Sequence, residues 1–268
     1  MQLVVQTFRQ QQRKKDHGPY HFQRLTTNPY DTQALNGYGN PVKPVGLICS
    51  MFRPSDDATI LPFLIPSNAF AVVSLRQLAG IAQKVTGDDD FAAECRNLAD
   101  EVDSALQKYA FKEHGEFGKV FAYETDGFGN HLFMDDANVP NLLSLPYLGY
   151  IGKEDSLYKR TRSFVLSDNN PFYFKGKAAE GIGSPHTGED QIWPIGIIMR
   201  TLTSTSESEM RQCVDWLLDA TADTGFMHES FNKDNAAKYT RSWFAWANTL
   251  FGEMVLHLYH RHPKVLDM

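Results

Sequence analysis

The sequence predicts an all-α fold, a toroid of helical hairpins, and three observations carry that expectation. After Pro66, apolar residues recur at spacings of three and four in long runs. The runs alternate as helix, partner helix and loop, with starts near Ser67, Asn138, Asp190 and Ser242, roughly 50 to 70 residues apart. The loops ahead of these starts are rich in Asp, Glu, Asn, His and Trp, as at the open end of an (α/α) barrel. No close internal repeat accompanies the rhythm, which separates it from a solenoid array.

Each element follows from local chemistry. Residues 3–15 read as the end of a helix. Residues 16–48 carry Gly18-Pro19, Asn28-Pro29, Asn36-Gly37, Asn40-Pro41 and Lys43-Pro44, all turn signals. A domain rarely opens on so long an irregular stretch, so the chain is expected to start part-way through a fold. Ser67-Asn68 cap a helix through Val72, Leu75, Leu78, Ile81 and Val85, stopped by Gly87. Asp88 to Asp90 start a second, through Ala92, Cys95, Leu98, Val102, Leu106 and Tyr109. The Gly-rich aromatic stretch 114–134 reads as a β-hairpin or ordered loop. Asp135 to Asn138 precede a third helix, Val139 to Tyr150, with 154–167 as its partner. Gly188-Glu189-Asp190 open an apolar helix from Gln191 to Leu202. Ser206 or Ser208 starts another, through Met210, Val214, Leu217 and Leu218. A loop at 223–239 leads to a last helix, Arg241 to about His260.

Composition narrows the function. A net charge of −6 with only one short basic run, Arg13-Lys14-Lys15, argues against a nucleic-acid partner. No stretch approaches the roughly 18 apolar residues that span a bilayer, so no membrane partner is expected. Three cysteines, an odd number without C-x-x-C spacing, argue against a disulfide framework or a zinc knuckle; Cys95 and Cys213 read as small core residues. The first residues are too short and too polar for a signal peptide, which suggests cytoplasm if the start is genuine and leaves secretion open if a leader precedes it.

Four clusters could carry chemistry. Phe52-Arg53-Pro54-Ser55-Asp56-Asp57 sets two adjacent carboxylates beside a guanidinium, an arrangement that can split their ionisation, and it reads equally as a capped surface turn. Asp135-Asp136-Ala137-Asn138 offers partners for sugar hydroxyls, or helix caps. Ser184-Pro185-His186-Thr187-Gly188-Glu189-Asp190 runs into Trp193, a polar density suited to a carbohydrate pocket. Met227-His228-Glu229-Ser230-Phe231 sets a carboxylate among apolar and aromatic neighbours, where such groups tend to be functional, and Trp243 could stack on a sugar ring or belong to the core. No zinc or calcium ligand spacing, nucleophile elbow, Walker loop or dinucleotide fingerprint occurs.

Together the clusters resemble family 125 of the glycoside hydrolases. The densest stretches are Phe52 to Asp57, Ile65-Pro66-Ser67-Asn68, Asp135 to Asn138, Ser184 to Pro194 and Met227 to Phe231, and the likeness runs from about Pro19 to the end. The resemblance implies an (α/α)6 barrel that removes terminal α-1,6-linked mannose from mannosides or N-glycan fragments, with inversion and with neither metal nor cofactor. It implies that Asp56 is the general acid, with Asp57 its rival, and that Glu229 is the general base across one cleft. Arg53, Ser55, Asp57, Asn68, Asp136, Asn138, His186, Thr187, Glu189, Asp190, His228 and Trp243 are then expected to hold the sugar. Family members are longer at the N-terminus. Residues 1–268 are therefore expected to form one catalytic domain, the C-terminal part of the barrel, with apolar flanks exposed near 66–86 and 241–260. The alternatives are a non-catalytic mannose-binding or scaffold protein, and a barrel glycosidase with another sugar preference. The oligomeric state is left open.

Overall fold

A computed structural model describes residues 1–267. The chain divides into two compact units, residues 1–133 with 148–150, and residues 134–147 with 151–267.

The first unit is built on a helical hairpin. Helix α1, Gln2–Gln11, precedes the irregular stretch, then α2, Ile65–Ile81, pairs with α3, Asp89–Tyr109. Val72, Leu75 and Ala79 of α2 are buried, as are Ala92, Cys95, Leu98, Val102 and Leu106 of α3. The three-and-four spacing thus marks the buried faces. A π turn, Ala82–Thr86, extends α2 to Gly87, whose φ of 65° takes the left-handed conformation that ends helices. The Asp88 carboxylate caps α3 by accepting from the Phe91 amide at 2.9 Å. Ser67 and Asn68 lie inside α2, not at its start, because Pro66 already occupies the first turn. Strand β1 (Phe63–Leu64) leads into α2. A hairpin of β2 (Phe111–His114) and β3 (Gly118–Phe121) follows α3, then β4 (Glu124–Thr125) and β5 (His131–Leu132). β4 lies between β1 and β5, all antiparallel, with Leu64 opposite Glu124.

The second unit holds α4, Ser156–Val165; α5, Pro194–Thr203; α6, Glu207–Asp219; and α7, Ala245–Arg261. α5 is its core: Ile195, Ile197, Ile198, Met199 and Leu202 are buried. Gly196 lets α5 approach closely, since a Cβ there would sit 3.0 Å from the Ile182 carbonyl oxygen. Short strands fill the loops: β6 (Tyr173–Lys175) pairs with β7 (Glu180–Ile182), and β8 (Gln191–Ile192), β9 (Ser230–Asn232) and β10 (Asn235–Thr240) form a sheet ordered β10-β9-β8.

Three expected helices change. Val139 to Tyr150 is a chain of turns. Pro140 and Pro146 supply no amide donor, and the amides of Leu142 and Leu143 donate to the Asp135 carboxylate at 2.8 and 3.0 Å instead of to a helix. Burial pushes the Asp135 carboxyl well up, against the pull of those two amides. The helix expected from Gln191 begins only at Pro194, because Gln191 and Ile192 pair with Asn232 and Phe231. The last helix likewise begins at Ala245, and part of the loop expected at 223–239 is the β9–β10 hairpin.

A polar network crosses the second unit. Glu209 on α6 accepts from Arg162 at 2.7 Å, Arg200 at 2.8 Å and Ser204 at 2.5 Å. Burial raises its carboxyl, but Ser204, Arg162 and Arg200 together hold it below the usual carboxylate value of 4.5. A depressed folded value gives stability that is present above the ordinary value and lost as pH falls through the lowered one. Calorimetry from pH 7 to pH 3 should therefore show Glu209→Gln with a lower Tm than wild type at pH 7 and the gap closing in acid. A gap independent of pH would contradict the network's electrostatic role.

Candidate active site

In the first unit, Asp56 stands on a tight turn. The Arg53 amide donates to the Asp57 carbonyl at 2.7 Å and the Asp56 amide to the Arg53 carbonyl at 3.0 Å, while Phe52 bridges to Ala58. Asp56 has φ 70°, a left-handed conformation that Asp tolerates better than most residues. The turn separates the two carboxylates: Asp56 is exposed and Asp57 is 2% exposed. Ser55 is buried, its hydroxyl without a hydrogen-bond partner. Arg53 points inward. Its Nε donates to Glu124 at 2.6 Å, both side chains are out of solvent, and its guanidinium lies 5.4 Å from the Tyr123 ring centre. Glu124 also accepts from the amides of Ile60 and Leu61, at 3.0 and 2.9 Å. Burial pushes the Glu124 carboxyl up; Arg53 and the two amides pull it back.

In the second unit, three of the sequence clusters join. The Asp136 carboxylate accepts from the amide and side chain of Asn138, at 2.9 and 2.8 Å, and from the Ser184 hydroxyl at 2.8 Å. The Ala137 amide donates to the Gly183 carbonyl at 3.0 Å. Strand β8 then carries the His186 to Trp193 segment beside β9, which follows Glu229. Trp193 Nε1 donates to the Thr187 hydroxyl at 2.8 Å, and its ring meets Phe244 edge-on at 5.9 Å. Asp190 pairs with Lys233 at 2.6 Å. Glu229 is buried, and its Oε1 lies 3.0 Å from Nε of Arg241, whose side chain is exposed. The ring of His228 stacks on Tyr239 at 3.7 Å, with its nitrogens 3.0 and 3.2 Å from the carbonyl oxygens of Ser242 and Thr221. Asn248 on α7 fixes the other flank: its amide group accepts from the Met227 amide and donates to the carbonyls of Met227 and Phe244. Trp243, His186 and Glu189 are exposed.

Asp56 in the first unit and Glu229 in the second each stand on a loop held by hydrogen bonds, a setting in which a carboxylate can give or take a proton. The family model of the metal-independent α-mannosidases, glycoside hydrolase family 125, matches residues 1–256. The chain belongs to that family. It is 44% identical over 249 residues to the meiotically up-regulated gene 157 protein of Schizosaccharomyces pombe, a match covering 92% of this chain and 49% of that protein. A metal-independent α-mannosidase of Streptococcus pneumoniae, solved as a non-productive complex with α-1,6-mannobiose, superposes with a TM-score of 0.94 at 38% identity, over 97% of this chain and 62% of that one. A bacterial glucoamylase bound to acarbose shares the helical fold alone, with a TM-score of 0.56 at 16% identity over 73% of this chain and 34% of its own. The chain thus spans about half the curated relative, and the (α/α) toroid-type fold expected from the helical rhythm is that of the family 125 structure.

Within this family 125 chain the expected sugar-binding residues fall into two groups. Asp56 and Trp243 are exposed, and His186, Thr187, Glu189 and Asp190 are at least partly open to solvent. Arg53, Ser55, Asp57, Asn68, Asp136, Asn138 and His228 are buried. The amide of Asn68 is fully engaged: it accepts from the Ile48 amide at 2.8 Å and donates to the carbonyls of Ile48 and Leu64 at 2.9 Å. Glu124, Arg241 and Asn248 were not expected. Glu124 lies 71 positions from Arg53 with no local signal, whereas Arg241, a charge beside Trp243, carried one. Asn68→Ala should lower the unfolding free energy by roughly 2–4 kcal/mol, since it strands buried backbone groups. Denaturant titration checks this, and a variant of full stability would contradict it.

Proposed function

We propose that this chain hydrolyses terminal α-1,6-linked mannose from mannosides and N-glycan fragments, by inversion and without a metal. One observation carries the reading: the 38% identical Streptococcus pneumoniae structure, a metal-independent α-mannosidase, holds α-1,6-mannobiose and matches nearly the whole chain. Asp56 donates its proton to the glycosidic oxygen as the bond from the anomeric carbon to that oxygen breaks. Glu229 takes a proton from a water whose oxygen bonds to the opposite face of the same carbon. The products are β-mannose and the shortened alcohol, and solvent returns each carboxyl to its starting state. Inversion needs the two carboxyl groups about 6.5–9.5 Å apart, with room for that water.

The exposure of Asp56 against the burial of its neighbour Asp57 supports Asp56 as the acid. Arg241, its Nε 3.0 Å from Oε1 of Glu229, sets a positive charge beside the proposed base. Trp243, 56% exposed, offers a face on which a pyranose could stack.

Mannose release from α-1,6-mannobiose in excess EDTA tests the reading. The expected result is unchanged turnover with EDTA. Asp56→Asn and Glu229→Gln should each lower kcat by roughly 10²–10⁴-fold. Binding of the disaccharide without turnover would select the mannose-binding alternative. Activity lost to EDTA and restored by Ca²⁺ or Zn²⁺ would contradict metal independence.

A further inference from the structure

We infer that Glu124, through Arg53, is a positioning residue for the proton donor Asp56. The inference rests on the reading of Asp56 as general acid. The Glu124 carboxylate holds both arms of one segment. Its Oε1 takes the Arg53 Nε at 2.6 Å, three residues before Asp56, and its Oε2 takes the amides of Ile60 and Leu61, four and five residues after it. Glu124 is itself fixed on the central strand β4, opposite Leu64. The segment between the arms exposes Asp56 at its apex with φ 70°.

The chemistry of the pair explains why an anion stands there. A glutamine side chain has the same shape, but it accepts at its oxygen only and carries two hydrogens on its nitrogen. In a Glu124→Gln variant the side chain could accept from the two backbone amides or from the guanidinium, but its NH2 group would face a donor on the other side. The buried Arg53 would then lose the Glu124 charge against its Nε, a costly change that the protein relieves by moving the arm. A proton donor is sensitive to such movement. Its benefit depends on hydrogen-bond reach to the leaving oxygen, a window a few tenths of an ångström wide.

The role predicts a dependence on the leaving group. A poor leaving group, the sugar alcohol of α-1,6-mannobiose, needs the acid. 2,4-Dinitrophenyl α-mannoside departs as a stabilised anion and scarcely needs it. Glu124→Gln should lower kcat on mannobiose by about 10-fold or more and on the dinitrophenyl mannoside by less than about 3-fold. Arg53→Lys, which keeps the charge but loses the directed Nε, should show the same asymmetry. Asp56→Asn should show the largest asymmetry, and Glu209→Gln, distant in sequence and in the other unit, none. Equal losses on both substrates in Glu124→Gln and Arg53→Lys, beside a strong asymmetry in Asp56→Asn, would overturn the inference alone. No asymmetry in Asp56→Asn would overturn the reading of Asp56 beneath it. Failure of both pair variants to fold would also contradict the inference, because the pair would then set the fold and not the turn.

Discussion

A charge taken out of water has to be matched inside the protein, and the pair of Arg53 and Glu124 is where this constraint governs the first unit. Both side chains are almost wholly removed from solvent. Desolvation of each costs several kcal/mol and is offset only with close geometry and further hydrogen bonds. The fold supplies these with the amides of Ile60 and Leu61 and the face of Tyr123. The segment from Arg53 to Leu61 therefore has few alternative arrangements, and Asp56 inherits that order while remaining exposed.

The second unit follows the same logic with other groups. Asp135 captures the amides that would have built a helix after Asn138, and Asp136 ties Asn138 to Ser184. Asn248 clamps Met227 and Phe244 on the two sides of the Glu229 hairpin. Buried polar side chains thus hold irregular loops in single conformations, and the groups left open to solvent, His186, Glu189, Arg241 and Trp243, are those available to a ligand. Preorganised loops of this kind cost little rearrangement at the moment of reaction.

The helices were largely legible because their causes are local. The Asp88 and Ser206 caps and the apolar spacing along α3 and α6 are written within a few turns of chain. The errors have one origin. Val139 to Tyr150 has enough apolar residues for a helix, but the partners that claim its amides include Asp135, outside the run. Gln191 and Ile192 are pulled into a strand by residues some forty positions on. At the candidate site, the motifs mark loops but not which of their side chains face outward. Asp57, Asp136 and His228 have the chemistry of ligands for a sugar, yet their side chains are buried. Glu124 carries no mark in the sequence, since only the antiparallel pairing of β4 with β1 brings it beneath the turn.

The central proposal is that Asp56 serves as acid and Glu229 as base in a hydrolysis that inverts the anomeric centre. The most direct measurement is the proton NMR spectrum of α-1,6-mannobiose during its first minutes with the protein. The account predicts that the anomeric signal of β-mannose appears first, with α-mannose growing later by mutarotation. α-Mannose as the first product would contradict it, because retention requires a carboxylate nucleophile about 5–5.5 Å from the acid and a covalent intermediate in place of the water held by Glu229.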